Sequence, residues 1–168
     1  LAVENGYQAA FMAPTELLAE QHARTVGELL APLGLEPALL VGRLNDSEKL
    51  SLRRRIAAGE APVVIGTHAL IEEATGFRNL GLVVIDEQHR FGVEQRSALI
   101  GKGVGPDVLL LSATPIPRTL ALTLYGDLDI SALRERPRGR PPVKTGVRTA
   151  SARAAVYDFV RAECAKGR

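Results

Sequence analysis

An α/β domain with a mostly parallel sheet is the fold class this sequence predicts. Short apolar runs recur along the chain, helix-compatible stretches separate them, and the runs are apolar throughout rather than alternating. A strand without alternation is covered on both faces, and helices on both sides of a parallel sheet provide that cover.

Gln8–Ala13, ended by Pro14, is the first such run and reads as a buried strand. Thr15 stands where an N-cap belongs, with Glu16 in the first turn. Leu18, Val26, Leu29 and Leu30 then keep one helical face apolar up to Pro32. Pro37–Val41 is the next strand. Asn45, Asp46 and Ser47 are candidate caps for a second helix, closed by Gly59 and carrying Arg53, Arg54 and Arg55, which read as a solvated face ahead of the alternative of a DNA contact. Val63–Gly66 is a third strand, after which Thr67 caps a short helix through Glu73. Leu80–Ile85 is a fourth strand, Arg90–Ile100 a helix, and Val108–Leu111 a fifth strand. Pro117–Tyr125 reads as a helix with proline near its start, and Leu128–Leu133 as a last strand. Residues 136–142 hold three prolines and form the clearest linker. Beyond it, Val143–Thr149 reads as a strand and Ser151–Ala165 as a helix of a following unit. The expected division is 1–135, a linker 136–142, and 143–168.

The chain has 168 residues, 46% of them hydrophobic, which is enough apolar mass for a core and excludes a disordered or collagen-like chain. No apolar run is long enough to span a bilayer, and Leu1–Phe11 lacks the basic start of a secretory leader. The one cysteine, Cys164, excludes an internal disulfide and a cysteine-based metal cage, so a cytoplasmic location is the expectation. Charge is uneven. Residues 1–130 carry 11 Lys and Arg against 16 Asp and Glu, whereas residues 131–168 carry 10 against 3. A basic tail is a solvated linker or a segment near nucleic-acid phosphates.

Ligands of such sheets bind at the carboxyl ends of the strands. The turns there are Pro14-Thr15-Glu16, Thr67-His68, Asp86-Glu87-Gln88-His89 and Ser112-Ala113-Thr114. All are polar, and together they suggest one site. Two adjacent carboxylates closing a buried strand are costly without a positive partner. A hydrated Mg²⁺ on a nucleotide is a natural one for Asp86, and the neighbouring Glu87 can then deprotonate an attacking water. The hydroxyls of Ser112 and Thr114 can link a strand end to a bound group by hydrogen bonds.

The runs Pro14–His22, Gly66–Ile71, Asp86–Val93 and Ser112–Thr119 resemble, in the correct order, motifs Ia, the Ib region, II (the Walker B box) and III of superfamily 2 helicases. The extended box Asp86–Val93 and the run Ser112–Ser131, with Tyr125-Gly126-Asp127-Leu128, are similar to the RecG type of branch-migrating DNA helicase. The resemblance implies a RecA-like, P-loop NTPase three-layer sandwich, truncated on its N-terminal side. It implies ATP and Mg²⁺ as cofactors and branched DNA, forks and junctions, as partner. It makes Asp86 the water-mediated Mg²⁺ ligand, Glu87 the group that activates water, and His89, Ser112 and Thr114 the coupling between nucleotide and DNA. Pro14, Thr15, Glu16, Thr67, His68 and Arg118 would lie on the nucleic-acid face, where helix-start amides meet phosphates.

The chain departs from that pattern in one respect. The phosphate-gripping Gly-x-x-x-x-Gly-Lys-Ser/Thr loop is absent, and Gly101-Lys102-Gly103, the nearest string, lacks its Ser/Thr and upstream strand. The resemblance places that loop and a DNA-binding wedge domain upstream, and a second motor domain from Val143 onward. The isolated chain is therefore expected to lack ATPase activity. A transcription-repair coupling translocase motor and a non-catalytic nucleic-acid-binding module are the alternative readings. His22, on a helix near apolar residues, reads as partly buried rather than as a ligand.

Overall fold

The computed structural model describes residues 1–113, 129–133, 135, 143 and 145–167. The chain divides into two compact units, Leu1–Ala121 and Leu122–Arg168.

The first unit is built on five parallel strands: β1 (Gln8–Met12), β2 (Ala38–Leu40), β3 (Val63–Gly66), β4 (Leu80–Ile85) and β5 (Asp107–Leu110), in the order β2-β3-β1-β4-β5. Helices α1 (Glu16–Leu30), α2 (Asp46–Ala58) and α3 (Val93–Ile100) cover it. Successive residues of the central strands point to opposite faces, so two apolar clusters form. Phe11, Val63 and Ile65 meet Leu18, Ala19, Ala23, Val26 and Leu30 of α1. Ala10, Met12, Val64, Val83 and Ile85 meet Leu52 and Ile56 of α2 and Leu99 of α3. The result is the expected three-layer sandwich with a parallel sheet. β5 departs from the doubly covered pattern: it is an edge strand, and Leu109 is half exposed.

Local chemistry sets the ends. Thr15 caps α1, its Oγ1 accepting from Leu18 N at 3.3 Å. Asn45 and Glu48 form a reciprocal capping box on α2, and Gly59 ends that helix at φ 79°. Gly66 is required by a close approach, because a Cβ there would lie 2.2 Å from Leu40 O.

Several expectations are corrected. After Thr67 there is one 3-10 turn, His68–Leu70, instead of a helix through Glu73. Thr75 Oγ1 donates to Ala69 O at 2.9 Å, taking the carbonyl that an α-helix would give to residue 73. The helix expected from Arg90 starts at Val93. Gly92 is its N-cap, Phe91 is extended, and Gln88–Arg90 form a separate 3-10 turn. The described part of Leu128–Leu133, residues 129–133, is not a strand; Ile130 and Leu133 are exposed and pair with no strand among the described residues. The same holds for the described part of Val143–Thr149, where Val143 and Val147 are exposed. Pro117–Tyr125 and the linker 136–142 lie outside the described residues.

In the second unit, a 3-10 turn (Ala150–Ala152) leads into α4 (Arg153–Ala165), close to the expected Ser151–Ala165. Among the described residues no helix is long and apolar enough to cross a membrane.

Candidate functional site

β3, β1, β4 and β5 are consecutive neighbours in the sheet. Their carboxyl ends therefore set Thr67-His68, Pro14-Thr15-Glu16, Asp86–His89 and Ser112-Ala113 side by side, as expected from the sequence. From β1 the chain turns toward β3 and β2, and from β4 toward β5, so the switch point falls between β1 and β4. Asp86 stands at that crevice. Its backbone extends the ladder, with Asp86 N donating to Met12 O at 2.9 Å.

Both oxygens of the half-buried Asp86 carboxylate are engaged. Oδ1 accepts from Glu87 N at 2.9 Å. Oδ2 lies 2.7 Å from His22 Nε2, and since a carboxylate accepts, that ring nitrogen donates. His22 is positioned by α1, its ring 4.5 Å from that of Phe11. Its partial burial agrees with the sequence reading, but the contact with Asp86 was not foreseen. One signal was available: His22 follows Leu18 and Ala19 at helical spacing, which puts it on the face toward the sheet.

Glu87 has φ 48° and ψ 50°, the left-handed region, the single non-glycine with positive φ among the described residues. That conformation costs roughly 1 kcal/mol for a residue with a Cβ. Its Oε2 is buried without a hydrogen bond; His89 Nδ1 is 3.2 Å away but not aligned to donate. Thr67 Oγ1 and Gln88 Oε1 are also buried and unpaired. Among the described residues, the three buried side-chain oxygens or nitrogens without a partner all belong to this edge. Such groups each carry a desolvation cost that a ligand or water relieves.

The remaining expected site residues are distributed as follows. Thr15 is exposed, its hydroxyl committed to the α1 cap. Glu16 Oε1 accepts from Arg43 N at 3.1 Å, and Glu20 pairs with Arg43 at 2.8 Å, so the start of α1 ties down the loop after β2. Pro14 is half-buried, and His68, His89, Ser112 and Ala113 are exposed. Thr114 and Arg118 lie outside the described residues. No group of three His, Cys, Asp or Glu side chains that could hold a metal occurs among the described residues. A donor set of one carboxylate with free lone pairs on each oxygen fits a hydrated Mg²⁺ carried by a nucleotide, which needs one or two carboxylates.

The sequence model of DEAD/DEAH box helicases matches residues 2–123. The chain belongs to the DEAD/DEAH box helicase family. Among curated relatives, the ATP-dependent DNA helicase RecG of Synechocystis is 51% identical over 99% of this chain and 20% of its own length. RecG of Treponema pallidum is 49% identical over 99% of this chain and 25% of its own length. The chain thus spans a fifth to a quarter of the relatives it matches. A solved structure described as RecG bound to a three-way DNA junction superposes with a TM-score of 0.79 at 47% identity, over 96% of this chain and 22% of that one. The helicase MrfA, bound to DNA and AMPPNP, shares the fold at a TM-score of 0.67 and 21% identity. This helicase chain thus carries its Asp-Glu box at the sheet's switch point.

Proposed function

We propose that the chain is part of the first motor domain of an ATP-dependent DNA helicase that remodels branched DNA and stalled forks in recombination and repair. The reading rests on Glu87: it follows Asp86 at the carboxyl end of β4, in a left-handed turn, with Oε2 buried and without a hydrogen bond. The likeness to RecG relatives and to a RecG structure on a three-way junction supports the choice of DNA substrate.

In this reading ATP is the fuel and Mg²⁺ the ion. Bound with the nucleotide, Mg²⁺ neutralises phosphate charge. Asp86 holds its water shell, while His22 and Glu87 N fix the orientation of the carboxylate. Glu87 Oε2 takes the proton of the attacking water, and its lack of any other hydrogen bond leaves it available for that proton. His89, beside Glu87, relays the state of that carboxylate outward with Ser112 and Thr114. Pro14, Thr15, Glu16, Thr67, His68 and Arg118 form the nucleic-acid face. There the α1 start offers backbone amides to phosphate oxygens, positioning DNA without reading its sequence. Residues 143–168 open a second motor domain, and an upstream wedge domain of the same protein completes the junction site. The protein works in the cytoplasm.

The test is ATP hydrolysis by the full-length protein with Mg²⁺, with and without three-way junction DNA. Junction-stimulated hydrolysis is expected. A protein that binds junctions but never hydrolyses ATP would make this a binding module.

A further inference from the structure

Parallel strands are normally joined by a crossover helix. The connection from β3 to β4, residues 67–79, has none beyond the 3-10 turn His68–Leu70. Its backbone polar groups must be satisfied from elsewhere. Side chains from three other elements brace it, Gln8 and Lys102 at backbone groups and Arg53 at the side chains of Thr75 and Glu72. Gln8 Oε1 of β1 accepts from Arg78 N and Asn79 N. Arg53 of α2 donates from Nε to Thr75 Oγ1 at 3.1 Å and from Nη2 to Glu72 Oε2. Arg53 is therefore largely buried, at 17% side-chain exposure, and not on the solvated face its sequence context suggested.

The third element is the Gly101-Lys102-Gly103 string. Lys102 Nζ donates to Glu72 O at 2.9 Å and to Thr75 O at 2.6 Å. Its glycines are packed against neighbouring backbone. Gly103 lies against the start of β4, where a Cβ would stand 2.4 Å from Leu80 O. Gly101 ends α3, and a Cβ there would meet Ser97 O at 3.1 Å. The lysine thus bridges two carbonyls of the crossover. Thr75, fully buried, passes the constraint on by donating to Ala69 O, in the turn that follows Thr67.

We propose that Lys102, with Arg53, is a positioning residue for DNA engagement: it locks the 67–79 crossover and so presents Thr67 and His68 in fixed geometry at the carboxyl edge. The string that resembles a phosphate grip is a clamp on the neighbouring loop. Charge-assisted bonds to two carbonyls of one loop are among the stronger side-chain contacts, and a crossover without a helix has few backbone bonds to replace them. The effect reaches DNA through the loop, because Lys102 itself faces Glu72 and Thr75.

This inference rests on the helicase reading, and its test separates the two. In the full-length protein, Lys102→Ala and Lys102→Arg are compared with wild type by three readouts: Kd for a fluorescent three-way junction, ATPase without DNA, and hydrogen exchange of amides 68–76. Lys102→Ala is expected to raise Kd about tenfold, the scale of losing one charged hydrogen bond. It should speed exchange in the loop to a similar degree, leave DNA-free ATPase within about twofold, and be rescued by Lys102→Arg, which keeps charge and donors. Faster loop exchange with an unchanged Kd overturns the proposal, as does a parallel fall in DNA-free ATPase. Wild-type protein that ignores the junction overturns the helicase reading and the clamp's DNA role with it.

Discussion

Replacing Gln8 by leucine tests how the amino end of the sheet is held. Gln8 is 3% exposed and every hydrogen-bonding position of its amide is used. Nε2 donates to Ile56 O at 3.0 Å and Ala61 O at 2.9 Å, and Oε1 accepts from Arg78 N at 2.9 Å and Asn79 N at 3.1 Å. Leucine is apolar and somewhat shorter, with no polar atom, so most of the loss falls on the partners. Ala61 O is left buried and unpaired, at about 2 kcal/mol. Ile56 O keeps its bond from Gly59 N, so about 0.5 kcal/mol is lost there. The two amides border exposed residues and cost about 1 kcal/mol each. Burying the leucine returns roughly 1 kcal/mol. The net is about 3.5 kcal/mol, or a fall of roughly 1.8 M in the urea midpoint at a slope near 2 kcal/mol/M. Urea unfolding followed by circular dichroism measures it. A fall below about 0.3 M at unchanged slope would refute the claim that this amide joins α2, β1 and the crossover.

Two further outcomes are expected. His22→Ala removes the donor on Asp86 Oδ2, and the Mg²⁺ concentration for half-maximal ATPase of the full-length protein should rise about tenfold, as for other groups that orient a metal-side carboxylate; an unchanged Mg²⁺ requirement contradicts the positioning role. The Lys102 amine titrates below its usual 10.5, because burial penalises the charged form and Arg53 adds to this, against the attraction of Glu73. Just below pH 10.5 the unfolded chain therefore binds more protons than the folded one, and stability rises with pH there. Relative to Lys102→Met, which cannot titrate, the wild type should gain stability with pH in that window and show a flat difference below it. Urea midpoints across the pH series check the sign, and a difference that falls with pH contradicts it.

β3 and β4 were legible with their ends, and β1 to within a residue, because their runs are apolar throughout and helices cover both faces. The α2 start was legible only as one of Asn45, Asp46 and Ser47; the structure selects Asn45, because Glu48 three residues on completes a capping box with it. The four polar turns were readable as one site because strand ends of a parallel sheet share an edge. What was hidden depends on distant partners. His22 reaches Asp86 across 64 positions of sequence, which the rotation of α1 against β1 decides. Thr67 looks like a helix cap, yet Thr75 takes the Ala69 carbonyl and stops the helix. Arg53 belongs to a run of three arginines that reads as a solvated face until the crossover folds over it. Glu87 gave no local sign of its left-handed backbone, since that residue type does not favour it.

The most direct test of the account is Glu87→Gln in the full-length protein, with ATP hydrolysis and junction binding measured on the same sample. The amide fills the same space and cannot take a proton from water. Junction-stimulated hydrolysis should fall by about a thousandfold, within the range for a lost catalytic base, while junction Kd stays within about threefold. Hydrolysis that survives the substitution would contradict the assignment of Glu87 as the base.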